Sequence, residues 1–200
     1  VGEKNFENKK VVREVRNELE SIAKDYDPET KAPSLQPRIS PQNRAQAADV
    51  ADELGYTIPD LFKFIPMGNI SISKFPVTNG QYERFLKSDF NNKKYWVDFQ
   101  KYDENSDKMT NQTWGVEPWD WLGEELQNKN NDMQDGVLLP RYWRDPRFGI
   151  ARRNAPVVGV SWYEASAYCN WLLENWENLE EGKQGLSKPK EIRLPLEKEW

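Results

Sequence analysis

The sequence predicts an α+β domain that is rich in loops and preceded by a helical segment. Three observations carry this. Short β-prone runs are followed twice by a helix start with its own capping signal, PVTNGQYERF and VGVSWYEASAY. The chain has nine Trp, eight Tyr and eight Phe, mainly between Trp96 and Trp200, among long stretches with no regular period. The first sixty residues show helical periodicity and nothing that reads as a strand.

Two hundred residues suit one medium domain with an appendage. We divide them into a helical extension and linker, 1–60, and a domain proper, 61–200. So many aromatic rings exclude a disordered chain, because they must be buried. The net charge of −5 argues against a nucleic-acid backbone as partner. No apolar run reaches membrane-spanning length, and no signal-peptide pattern opens the chain. Cys169 is the single cysteine, so no internal disulfide forms. That fits a reducing compartment, and a cytoplasmic location is the expectation. Histidine is absent, which removes the usual triad base and every His-bearing metal site.

In order along the chain, residues 6–26 read as a helix. Val12, Val15, Leu19, Ile22 and Tyr26 recur at alternating spacings of three and four. The seam suits docking on the same domain or on a partner helix. Residues 27–37, with Pro28, Pro33 and Pro37, are a linker. Ser40 then caps a second helix, with Pro41 at its first position and Gly55 past its end. Its apolar face of Ala47, Val50, Ala51 and Leu54 is narrow and suits close packing. From Leu61 short strands are expected, with Ile70 and Ile72 on one face. Thr78 and Gln81 form a capping box, and Tyr82, Phe85 and Leu86 face inward.

Residues 91–140 are irregular. Trp114, Trp119 and Trp121 fall within eight positions, as core anchors or as a sugar- or cation-binding surface. Asp103, Asn105 and Asp107 have the opening spacing of a calcium loop, but Lys108 and Trp114 stand where Gly and Glu are required, so the match fails. The amide-rich residues 130–135 read as a solvated turn. Arg141, Arg144, Arg147, Arg152 and Arg153 either grip an acidic ligand or pair with nearby carboxylates and stack on Trp143.

Residues 154–171, NAPVVGVSWYEASAYCNW, read as strand, turn and helix. Pro156 to Val160 form a buried strand in this reading. Ser161 and Glu164 form a second capping box. Ala165, Tyr168, Cys169, Leu172 and Trp176 share the buried face. Cys169 lies on that face and acts as a small hydrophobe, since no histidine activates it. Glu174, Glu177, Glu180 and Glu181 are read as a solvated outer face. A short strand is expected at 191–194, with Pro195 opening the next helix.

NAPVVGVSWYEASAYCNWL followed by IRLPLEKEW resembles the formylglycine-generating enzyme, or sulfatase-modifying factor, domain family. FKFIPMGN and ISKFPVTNGQYERFL look like that family's opening strands and first helix. DPRFGIARRNAPVVGVSW is similar to versions attached to bacterial signalling proteins. The signature residues are Asn154, Pro156, Val157, Ser161, Trp162, Glu164, Cys169, Trp171, Arg193, Pro195 and Trp200. The resemblance implies a modified C-type lectin fold. It departs at Leu196, where the family's usual capping Thr is missing. The family's second half, which in the enzymes carries paired copper-binding cysteines and calcium sites, matches nothing here.

The resemblance therefore implies a ligand- or partner-binding module, in a bacterial signalling, defence or variable-display protein. Trp114, Trp119, Trp121, Arg144 and Arg147 are its candidate ligand-binding residues. The alternative is a copper-dependent oxidase converting a substrate cysteine to formylglycine, with its cysteines supplied by a segment not present in this chain. A third reading is assembly of a complex through the N-terminal helix seam. No catalytic residue and no metal ligand are expected in this chain. Copper and calcium enter only with a further C-terminal segment. Another chain or that segment is expected to complete the fold.

Overall fold

The computed structural model describes residues 2–25, 38–97, 100–103, 105, 108–113, 118–185 and 187–199. Helix α1 (Gly2–Lys24) and helix α2 (Pro41–Glu53) pack together as an N-terminal pair. Ser40 caps α2 through its hydroxyl, 3.2 Å from the Asn43 amide, with Pro at the start of the helix. The expected apolar face is used in part: Ala47 and Ala51 are buried, Leu54 is half-buried and Val50 is exposed. Arg44 donates to the Ala23 carbonyl at 3.0 Å, and Tyr56 donates to Glu20 at 2.9 Å. Asp25 ends the first helix at a positive φ of 45° and accepts from the Ile39 amide at 3.2 Å. Only the C-terminal half of the predicted seam is covered; Val12 and Val15 remain exposed. Tyr26 lies outside the described residues.

Strands β1 (Phe64–Met67) and β2 (Ile70–Ser73) form an antiparallel hairpin in the register Ile65 to Ile72. The Gly68 φ of 62° supplies the tight turn. Helix α3 (Asn79–Ser88) follows with the predicted Thr78–Gln81 capping box complete. A short 3-10 turn, Lys93–Tyr95, brings Tyr95 and Trp96 into the core. Strands β3 (Gln100–Asp103) and β4 (Lys108–Thr113) pair antiparallel with a register shift between Gln100 and Tyr102. Within the rejected calcium loop, the Asp103 carboxylate accepts the Asn105 amide at 3.0 Å. Helix α4 (Pro118–Gln127) buries Leu122.

The stretch read as a solvated turn at 130–135 instead enters a small hairpin. Strand β5 (Met133–Gln134) pairs with β6 (Val137–Leu138) around Asp135 and Gly136, both at positive φ. The Asp-Gly pair is the local cause, since it favours the two-residue hairpin turn.

Helix α5 (Trp162–Glu174) runs through the centre, capped by the predicted Ser161–Glu164 box. Its buried face is wider than the spacing implied and includes Ser166, Ala167 and Trp171 as well as Tyr168, Cys169 and Leu172; Ala165 is only half-buried. Phe85 of α3 is fully buried at the centre of the core. Its ring lies 4.9 Å from Phe90, 5.6 Å from Trp171 and 5.7 Å from Tyr82, centre to centre. Tyr82 stacks on Tyr168 at 5.6 Å. Tilted and edge-on aromatic pairs thus join α3 to α5 in place of an extended sheet.

Two expected strands do not form. Residues 156–160 are extended but make only one bridge, Thr78 to Pro156, with the Val157 amide on the Val77 carbonyl at 2.9 Å. Pro156 has no amide to donate, and Gly159 turns the chain at φ 75°. Residues 191–194 are held instead by a side chain: Arg193 grips Glu199 through two nitrogens at 2.7 and 2.9 Å. Glu199 also accepts the Leu196 amide at 2.7 Å. Half of a capping box therefore survives although Leu196 has no hydroxyl. Among the described residues, helices and three two-stranded sheets make up the regular structure, an α+β composition. No helix among them is long and apolar enough to cross a membrane.

Candidate functional site

The N-terminal end of α5 is the most chemically dense part of the molecule. Ser161 accepts the Glu164 amide at 3.2 Å, and Glu164 Oε2 accepts the Ser161 amide at 2.7 Å. Glu164 is otherwise sealed, and its second oxygen has no hydrogen-bond partner, like the Tyr82 hydroxyl. Burial, with the charge of Glu125 nearby, raises the Glu164 carboxyl above its ordinary value. Burial likewise pushes the Tyr82 hydroxyl far up.

Cys169 sits two turns along the helix, buried and unbonded, and burial pushes its thiol up to about 12. It is a protonated, inaccessible thiol at neutral pH, as the helical spacing predicts. A copper site of the family type requires soft thiolates in a pair. One buried thiol does not fit that requirement.

From this helix end a run of aromatic rings reaches the surface. Trp96, in the core, stacks on Trp121 at 6.1 Å; Trp121 meets Tyr163 at 5.1 Å; Tyr163 meets Trp162 at 5.8 Å. Exposure rises along it from 2% at Trp96 to 47% at Trp162. Trp119 and Trp121 of α4 are partly buried against the core cluster, and the Lys93 ammonium lies 6.0 Å from the Trp119 ring centre. The structure thus brings Trp121 beside the α5 end, leaves Trp119 against Lys93, and adds Trp162, assigned from sequence only to the signature. Trp114 lies outside the described residues.

Four of the five arginines are taken up by carboxylates. Arg144 pairs with Asp132 at 2.7 Å, Arg147 with Asp145 at 2.8 Å, Arg152 with Asp49, and Arg153 with Glu83 at 2.8 Å. Arg144 and Arg147 do not meet the tryptophans. The stacking expected on Trp143 is absent, because that ring is in the core; Arg141 and Arg147 instead lie over Tyr142 and Phe148 at 5.5 and 5.0 Å.

The remaining signature residues hold the frame. Asn154 donates its side-chain amide to Asp52 at 2.9 Å and to the Tyr56 carbonyl at 2.7 Å, and its backbone amide to Asp52 at 3.0 Å. Pro156 and Val157 lie against Val77 and Thr78. Trp171 is in the core, Arg193 and Pro195 belong to the knot closed by Glu199, and Trp200 lies outside the described residues.

Two groups were missed from sequence. Asn79 is buried, and its amide nitrogen reaches the carbonyl oxygens of Phe148, Gly149 and Arg152 at 2.8, 2.9 and 3.0 Å. Glu181, assigned to a solvated face, is 2% exposed and forms a bidentate pair with Arg84. Helical spacing had no bearing on Glu181 because α5 ends at Glu174. The available signal was Gly182, whose absent side chain lets the Trp176 carbonyl approach within 2.1 Å of where a Cβ would stand.

Comparison with known proteins gives one family and one partial relative. Residues 64–200 match the sulfatase-modifying factor enzyme 1-like domain. The chain is 31% identical over 139 residues to a Bos taurus protein named inactive C-alpha-formylglycine-generating enzyme 2, over 65% of this chain and 36% of the relative. It therefore spans little more than a third of that relative's length. No solved structure matches. The two capped helices, the proline-led bridge between them and the Arg193 knot are thus the frame of a recognised domain, and the chain belongs to the sulfatase-modifying factor enzyme 1-like domain family.

Proposed function

We propose that this chain works as a partner-binding module on a formylglycine-generating-enzyme-like scaffold of modified C-type lectin type. The observation that carries the reading is the aromatic run from Trp96 to Trp162, which anchors the exposed Trp162 ring on the core through half-buried Trp121 and Tyr163. Aromatic groups held this way lose little entropy on binding and dominate contact energies. Trp119, Trp121 and Trp162 form the contact surface in this reading. The bacterial signalling, defence or variable-display setting rests on the resemblance of residues 145–162 alone.

The domain also offers an open edge. The β1–β2 hairpin pairs with no other strand among the described residues, and Ile65 and Met67 on it are 40% and 51% exposed. Unpaired edges of this kind accept a further strand. Another chain, or a further segment of the same protein, completes the domain there; copper and calcium belong with such a segment. A stable, soluble monomer of this chain alone would count against completion.

The decisive experiment treats the full-length protein with a cysteine-containing peptide and Cu(I), and in parallel titrates immobilised peptide arrays with wild type and Trp162→Ala. A binding module forms no aldehyde and loses about tenfold or more in array affinity on that substitution. Aldehyde formation that survives the substitution would replace this reading with the oxidase.

A further inference from the structure

Residues 141–149 form a surface turn held from beneath with unusual thoroughness. Asn79 binds three of its neighbouring carbonyls from inside α3. The Gly149 amide donates to Asp145 at 2.7 Å, and Ile150 donates to the Trp143 carbonyl at 2.9 Å. A Cβ on Gly149 would stand 2.0 Å from that same carbonyl oxygen, and one on Gly159 would stand 2.9 Å from Arg141 Cβ. Trp143 plugs the turn into the core.

What this rigid base presents is apolar and cationic. Tyr142 and Phe148 are 40% and 43% exposed, with ring centres 6.1 Å apart. Each carries an arginine over its face. Of the five arginines in the run, four are neutralised by described carboxylates. Arg141 is exposed and makes no ion pair among the described residues. A guanidinium oriented on a ring and lacking an anion is a ready bidentate partner for a carboxylate.

We infer that the 141–149 turn is a docking surface for an acidic protein segment carrying apolar side chains, with Arg141 taking a carboxylate and Tyr142 and Phe148 taking the apolar groups. This rests on the binding-module reading and assigns it a second surface and a partner chemistry. Tyr, Phe and Arg in a pre-ordered patch are the composition of interface anchors. One unpaired guanidinium suits a single carboxylate, whereas the affinity of a polyanionic nucleic acid depends on many cationic contacts, and the other four arginines are already paired.

The test is fluorescence anisotropy of the full-length protein with a labelled short peptide alternating glutamate and leucine. A glutamine-leucine peptide and a single-stranded oligonucleotide are run alongside. The glutamate peptide should bind, weaken with salt, and lose about tenfold or more in affinity in Arg141→Gln and in Phe148→Ala. Lys188→Gln, an exposed basic residue elsewhere, should leave it unchanged. Near-ultraviolet circular dichroism checks that each variant is folded, and Arg141→Gln alters only an exposed side chain. Equal binding of the glutamine peptide, tighter binding of the oligonucleotide, an equal loss in Lys188→Gln, or no binding at all would overturn the inference. Loss in Trp162→Ala with full affinity in Arg141→Gln would overturn it too, while leaving the binding-module reading intact.

Discussion

At the scale of single residues, Glu164 meets opposing demands. Its Oε2 closes the cap of α5, while its other oxygen is buried without a hydrogen bond. The carboxyl titrates above its ordinary 4.5 in the folded state because burial disfavours the charge. Glu164 therefore contributes stability that is fully present below the unfolded value and is lost as pH rises through the raised folded value. Glu164→Gln keeps an oxygen for the Ser161 amide and removes the titration. Urea unfolding should show the variant less pH-dependent than wild type above pH 4.5, with the difference in its favour growing toward neutrality. A parallel pH profile would show that Glu164 ionises without cost. The cap itself was legible in the sequence, since a serine and a glutamate three positions apart suffice to predict it. The orphaned oxygen was not, because it depends on how α3 and α4 close over α5. Gly149 gives a second case: Gly149→Ala forces a Cβ against the Trp143 backbone and should destabilise by about 1–3 kcal/mol in the same assay.

At the scale of elements, caps matter more than propensity, because the helices are short and the sheets have only two strands. Ser161→Ala removes the hydroxyl that accepts the Glu164 amide and should cost about 1 kcal/mol, read as a lowered melting temperature. Unchanged stability would mean that packing alone starts α5. The elements read correctly from sequence are those whose signal is local: α1 from its periodicity, the β1–β2 strands from their β-prone runs, and α2, α3 and α5 from Ser40, Thr78 and Ser161. The two expected strands that do not form share a physical cause. Residues 156–160 and 191–194 are apolar enough for strands, but a strand needs a neighbour to pair with. Here the neighbour is a single bridge in one case and an arginine side chain in the other. The β5–β6 hairpin was missed for another reason: its strands are two residues each, too short for alternation to show, and only the Asp-Gly pair announces it.

At the scale of the whole molecule, the parts are tied by polar contacts between distant residues, which periodicity cannot reveal. Arg84 and Glu181 join α3 to the segment beyond α5, with Glu181 2% exposed and Arg84 27% exposed. Breaking a buried pair from one side leaves a charge stranded. Glu181→Ala should therefore cost about 3 kcal/mol, and a double variant with Arg84→Met should recover part of it. The N-terminal helices are joined to the family domain in the same manner. Asp52 holds both the backbone and side-chain amides of Asn154, and Asp49 pairs with Arg152. The apolar residues buried on α2, Ala47 and Ala51, are small and bury little area, so these hydrogen bonds carry much of the docking. Asp52→Ala removes two acceptors at once. At about 1 kcal/mol each, their loss should let the helix pair undock while the aromatic core around Phe85 stays folded. Hydrogen exchange distinguishes the outcomes. The Asn154 amide should exchange faster by one to two orders of magnitude, roughly what about 2 kcal/mol implies, while amides within α5 keep their protection. If Asn154 stays as protected as α5, the helical pair is an integral part of the domain's core, and the division near residue 60 is one of sequence texture only.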